Sequence, residues 1–139
     1  SYGGYAAMWG AARDPDLFRF AISIAGVSNL RREVNDFGGY RMGNKFQDDW
    51  KKMTPDFAAV SPIFKVDRIK APLLLVHGKK DVTVDVGQSD AMNSKMRGAG
   101  KQVEYLQLPE ADHHFTRQAD REALLGAIES FLAKHNPAG

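Results

Sequence analysis

The chain has 139 residues, 43% of them apolar and 26% charged, with a formal net charge of +2; that is enough chain for one compact domain and too little for two. Its basic residues come in nothing longer than the pairs Arg31-Arg32, Lys51-Lys52 and Lys79-Lys80, which argues against a nucleic-acid partner. Cysteine is absent, which excludes disulfides, thiolate metal sites and a Cys nucleophile and leaves the compartment open; no stretch approaches the roughly 18 apolar residues of a membrane span, so no membrane partner is expected.

In chain order, Ser1-Tyr2-Gly3-Gly4 opens the sequence without an initiator Met. Residue 1 reads as a truncation point, a processed end or the edge of an incomplete gene. Residues 3–13, rich in Ala, predict a buried helix that stops before Asp14-Pro15, where the pre-proline position disfavours helix. The apolar run at residues 20–25 predicts a strand covered on both faces, closed by Gly26. Residues 29–61 are irregular, with turn-rich Asn35-Asp36-Phe37-Gly38-Gly39 and scattered aromatics, and short helices and loops are expected. Thr54-Pro55 predicts a cap for a short helix running to about Val60 and ended by Ser61-Pro62.

Residues 72–77, Pro72 to His77, form the clearest strand. Residues 85–98 predict an amphipathic helix with Met92 and Met96 one turn apart. Residues 102–108 alternate and predict a strand, and residues 117–134 a final helix. Strands alternating with helices imply an α/β fold with a parallel sheet. Only three strands are visible, so the sheet looks cut open. The expected organisation is a single partial domain over residues 1–139.

In such a sheet, functional groups collect at the C-terminal ends of the strands. Asp81 follows the strand at 72–77, and His113 and His114 follow the strand at 102–108. Ser1 precedes the first helix. The order Ser, Asp, His is that of the α/β-hydrolase triad. A serine hydroxyl needs a base within hydrogen-bond reach, and the carboxylate orients the imidazole. The backbone N–H of Tyr2 would be an oxyanion donor, and Gly3 suits a turn too tight for a side chain. A Ser before a helix is also a common cap, an Asp after a strand a common turn residue, and physics alone does not choose between His113 and His114. His77 reads as structural, Asp85 as a cap for the following helix, and His135 as complementing a helix dipole.

Taken together, Ser1-Tyr2-Gly3-Gly4-Tyr5, Ser61-Pro62, the run Ile69 to Asp81, Gln88-Ser89 and Pro109-Glu110-Ala111-Asp112-His113-His114-Phe115 resemble the catalytic domain of the prolyl oligopeptidase family, in its acylaminoacyl-peptidase and dipeptidyl-peptidase-like branches. The resemblance spans essentially the whole chain. It implies the C-terminal portion of an α/β-hydrolase fold. It makes Ser1 the nucleophile, Asp81 the acid and His113 the base, since the family's catalytic His lies two residues before a Phe. His114 stands where a Gly is usual, and Asp85 where an aromatic or Pro is usual. In the family, the region upstream of the nucleophile holds about half the sheet, the second oxyanion donor and a substrate-filtering β-propeller.

The resemblance implies a serine-type peptidase acting on peptide or acyl-peptide bonds through an acyl-enzyme intermediate, without metal or cofactor. Phe37, Tyr40 and Trp50, from the irregular region, are candidates for substrate binding or ordinary packing. A carboxylic-ester hydrolase on the same fold, and a catalytically silent fragment, are the alternatives. An open sheet edge invites pairing with a second copy, so a homo-oligomer is expected.

Overall fold

A computed structural model describes residues 1–37, 43–54 and 56–138; the side chains of residues 37, 43, 44, 46 and 47 also lie outside the described set. The elements are α1 (Tyr2–Arg13), β1 (Ala21–Ile24), α2 (Leu30–Phe37), α3 (Gly43–Met53), a kinked 3-10 segment (Pro62–Arg68), β2 (Leu73–Gly78), α4 (Gly87–Gly98), β3 (Val103–Leu108) and α5 (Gln118–His135).

The three strands pair in parallel in the order β1-β2-β3, with Ala21 beside Leu73 and Leu73 beside Val103. Every residue of β2 is buried, as its apolar run requires of a central strand. Side-chain alternation divides the core in two. Leu73 and Leu75 face Met8, Ala11 and Ala12 of α1, Ile63 and Val66 of the 3-10 segment, and Met92 and Met96 of α4. Leu74 and Val76 face the opposite layer, where Phe131 of α5 is fully buried and packs with Phe20 edge to face. A third cluster, Val27, Leu30, Val34, Phe57 and Val84, sits under α2 and α3 with Tyr5, Trp50 and Val60 against it. Among the described residues, no helix is long and apolar enough to cross a membrane.

Of the helix expected at about 55–60, residue 55 lies outside the described residues, and residues 56–60 are not helical. Residues 57–60 are a turn, held by Asp56 Oδ1, which accepts from Ala58 N at 3.0 Å and Ala59 N at 3.2 Å. The proline-at-the-first-position signature belongs instead to Pro62, with Ser61 as the N-cap residue of the 3-10 segment. Ser61 Oγ is used elsewhere: it accepts from Leu30 N at 2.9 Å and donates to Phe57 O. Two prolines satisfied one local rule, and the packing of Ile63 and Val66 selected the second.

Candidate active site

Asp81 ends a tight turn after β2, its N–H donating to Gly78 O at 3.3 Å. Its carboxylate is sealed from solvent and met on both oxygens. Oδ1 accepts from Thr83 N at 2.8 Å and Val84 N at 2.9 Å. Oδ2 lies 2.7 Å from His113 Nδ1 and 3.3 Å from His77 Nε2. The main chain of its own turn therefore fixes where the carboxylate points.

His113 arrives from the loop after β3, and that loop is tied to the Asp81 turn. Lys79 N donates to Leu108 O at 2.8 Å, and Lys80 N to Ala111 O at 3.0 Å. The loop passes so close to the end of β2 that a Cβ on Gly78 would stand 2.3 Å from Ala111 O. A glycine here is a condition for the two loops to meet. The rest of the loop is equally constrained. Asp112 Oδ1 accepts from His114 N and Thr116 N, and the Thr116 hydroxyl bond holds the Asp112 carboxyl below its ordinary pKa. Phe115, at φ +52°, sinks into the α5 layer. Arg121 of α5 donates to Phe115 O at 3.0 Å and to Thr116 O.

Of the two neighbouring histidines, His113 contacts Asp81; His114 is exposed and packs edge to face on the His113 ring. With Nδ1–H donated to the carboxylate, His113 Nε2 carries the lone pair that could accept a hydroxyl proton. His77, fully buried, has its tautomer set by its neighbours. Val84 O at 2.9 Å can only accept, so Nε2 bears the proton and Nδ1 accepts from Ser89 Oγ at 2.7 Å. Burial lowers its pKa, so the ring stays neutral beside Asp81.

Ser1 stands exposed at the N-terminus of α1, and its hydroxyl makes no capping bond to the helix. Tyr2 is the first residue of α1, where a backbone N–H has no intrahelical acceptor. The start of α1 lies hard against the end of β1: a Cβ on Gly4 would stand 2.6 Å from Gly26 Cα. Ser1 N donates to Ile24 O at 3.3 Å, which ties the start of α1 to the end of β1. Ser1, at the C-terminal end of β1, and Asp81, after the neighbouring parallel strand β2, thus lie at one rim of the sheet, where α2 with Glu33 also begins.

Tyr40 and the side chain of Phe37 lie outside the described residues. Trp50 packs on Phe57, with ring centroids 6.5 Å apart, at the edge of the third cluster. Asp85 behaves as a helix-entry residue: its Oδ1 accepts from Gly87 N at 3.0 Å and it pairs with Arg32. His135 lies in the last turn of α5, as expected, 3.8 Å from Glu104. Sequence reasoning missed Glu33, and named its partner Gln88 only as part of the family resemblance. Gln88 is fully buried: its Oε1 accepts from Ser28 N and Asn29 N, and its Nε2 donates to Asn29 O and Glu33 Oε2.

A parallel sheet flanked by helices, with a carboxylate and an imidazole joined across the ends of β2 and β3, defines the C-terminal portion of an α/β-hydrolase fold. Residues 1–137 match the prolyl oligopeptidase family, and the chain belongs to it. Dipeptidyl aminopeptidase BIII of Pseudoxanthomonas mexicana is 33% identical over 144 residues, covering 96% of this chain and 20% of that protein. The solved acylaminoacyl peptidase of Pyrococcus horikoshii superposes with a TM-score of 0.78 at 26% identity, over 96% of this chain and 22% of that one. Esterase LipC of Mycobacterium tuberculosis is 38% identical over 60 residues, 42% of this chain and 15% of that protein. The chain spans about a fifth of the length of the peptidase relatives.

Proposed function

We propose that the chain carries the catalytic triad of a serine peptidase that hydrolyses peptide or acyl-peptide bonds. Ser1 Oγ attacks the scissile carbonyl while His113 Nε2 takes its proton. The carbonyl oxygen becomes an oxyanion held by Tyr2 N–H, and His113 then returns the proton to the leaving amine, giving an acyl-enzyme that water hydrolyses in the reverse sense. Asp81 orients His113 and stabilises the imidazolium. The observation that carries this reading is the 2.7 Å contact between His113 Nδ1 and an Asp81 carboxylate already held by two backbone amides. The peptidase relatives supply the substrate class. Phe37, Tyr40 and Trp50 line the substrate pocket in this reading. Copies associate through the outer edge of β1, which has no partner strand among the described residues.

The test is a fluorophosphonate probe on the folded full-length protein. Stoichiometric labelling of Ser1, abolished by S1A and by H113A, is expected. Absence of labelling would favour a catalytically silent chain. A second reading, hydrolysis of carboxylic esters, has the partial match to an esterase in its favour. Turnover of a nitrophenyl ester without turnover of any aminoacyl nitroanilide would select it.

A further inference from the structure

Glu33 is a buried carboxylate at the same rim of the sheet as the proposed nucleophile, and the triad makes no use of it. It lies in the first turn of α2, only 7% exposed. Its Oε2 accepts from Gln88 Nε2 at 3.2 Å. Gln88 is in turn clamped to the main chain of Ser28 and Asn29, the segment leaving β1. Among the described residues, Oε1 has no hydrogen-bond partner. The buried side-chain oxygens left without one are Ser23 Oγ and Asp120 Oδ2, so Glu33 Oε1 is open to solvent.

Among the described residues no ion pair reaches this carboxylate, and Arg32 acts on it only from a distance. Arg32, the nearest basic residue in sequence, is engaged by Asp36 and Asp85. The other charges that Glu33 feels, Asp36 and Asp81, are of its own sign. Burial accordingly pushes its pKa up to about 7. A carboxylate held rigid on one oxygen, open on the other and short of a counter-charge is a receptor for a cation.

We infer that Glu33 determines specificity by receiving the cationic side chain of a Lys or Arg whose carbonyl Ser1 attacks. This rests on the serine peptidase reading above. Two observations point to that side chain rather than to a free substrate amino terminus. Glu33 is tied through Gln88 to Ser28 and Asn29, a few residues past Ile24, whose carbonyl accepts from Ser1 N at 3.3 Å, and the residue under attack is the one nearest the nucleophile; an amino terminus lies at least one residue further, roughly 3.5 Å more of extended chain. On the same helix, Leu30 and Val34 pack with Val27 and Val84, apolar surface that suits the methylene stem of a long basic side chain.

The experiment measures kcat/KM of the full-length protein on N-acetyl-Lys, N-acetyl-Arg, N-acetyl-Ala and N-acetyl-Phe nitroanilides, and on Ala-Ala-nitroanilide with and without an acetyl block. The wild type is expected to favour Lys and Arg over Ala by about 10-fold or more, as charge-assisted hydrogen bonds are worth in a shielded site. Glu33→Gln should cut the Lys and Arg rates about 10- to 100-fold and leave the Ala and Phe rates within about threefold, with fluorophosphonate labelling of Ser1 unchanged. Glu33→Asp, which keeps the charge, should retain a preference for basic residues. A wild type that cleaves Ala and Phe as well as Lys overturns the inference, whatever the variants do, and leaves the peptidase reading standing. A Glu33→Gln loss confined to substrates with a free amino terminus also overturns it. No cleavage of any substrate, with no labelling of Ser1, overturns the peptidase reading itself.

Discussion

Asp81 is met by three N–H groups, from Thr83, Val84 and His113. Asp81→Asn would retain the shape of the turn. Its amide can present an N–H to His113 Nδ1, which would stabilise the wrong tautomer. If the proposed triad operates, kcat should fall by about 10⁴-fold with little change in KM; steady-state kinetics on a nitroanilide would show it. Glu33 gives a residue-scale prediction that does not depend on catalysis. Its folded pKa of about 7 lies above the ordinary value of 4.5, so the folded state holds the proton more tightly than the unfolded state. The stabilising contribution is complete below about pH 4.5 and is lost as pH rises through about 7. Glu33→Gln should therefore gain on the wild type across that window, by on the order of 1 kcal/mol at pH 8. Denaturant unfolding at pH 5 and pH 8 measures the difference; an equal gap at both would contradict it.

At the scale of elements, the site depends on how closely two loops approach. Gly78 is the closest point, and its backbone conformation is ordinary for a strand end. The need for glycine is therefore one of space. Gly78→Ala would drive a methyl into the Ala111 carbonyl and part the Asp81 turn from the His113 loop. The expected outcome is loss of most of the activity together with destabilisation, since neither the strand nor the carbonyl can yield without breaking the hydrogen bonds from Lys79 and Lys80. The His113 loop is held from below by α5. Phe131, fully buried in the layer that also takes Phe115, should cost about 3–5 kcal/mol when changed to Ala, measured by denaturant unfolding.

At the scale of the whole molecule, the strands and most helices were legible because their signals are local. Pro72 to His77 reads as a buried strand from its own composition, and β2 is buried at every position. Met92 and Met96 read as one helix face, and both are fully buried. The turn at 57–60 was misread because Pro55 and Pro62 satisfy the same helix-start rule, and the choice between them rests on packing against Met8 and Leu73. The parallel sheet leaves the outer edge of β1 without a partner strand among the described residues. If copies associate through that edge as proposed, a concentration-dependent rise in sedimentation coefficient should appear, weakened by Ile22→Pro, which would remove backbone regularity from the edge strand.

By itself the sequence determined the order of elements, the position of Ser1 before the first helix and of Asp81 and the His113-His114 pair after their strands, and the family those motifs resemble, because turns, strand ends and helix starts are written in neighbouring residues. Strand ends and turns alone did not choose between the two histidines; the family resemblance pointed to His113, and the approach of two loops across Gly78 is what brings it to the Asp81 carboxylate. The tertiary structure alone decided that Glu33 is buried: within Leu30-Arg31-Arg32-Glu33-Val34 it reads as one more solvated charge, and it is Gln88, 55 positions away, that holds it beneath the surface. Contacts between residues far apart in sequence follow from which faces pack together, and no local pattern encodes that choice.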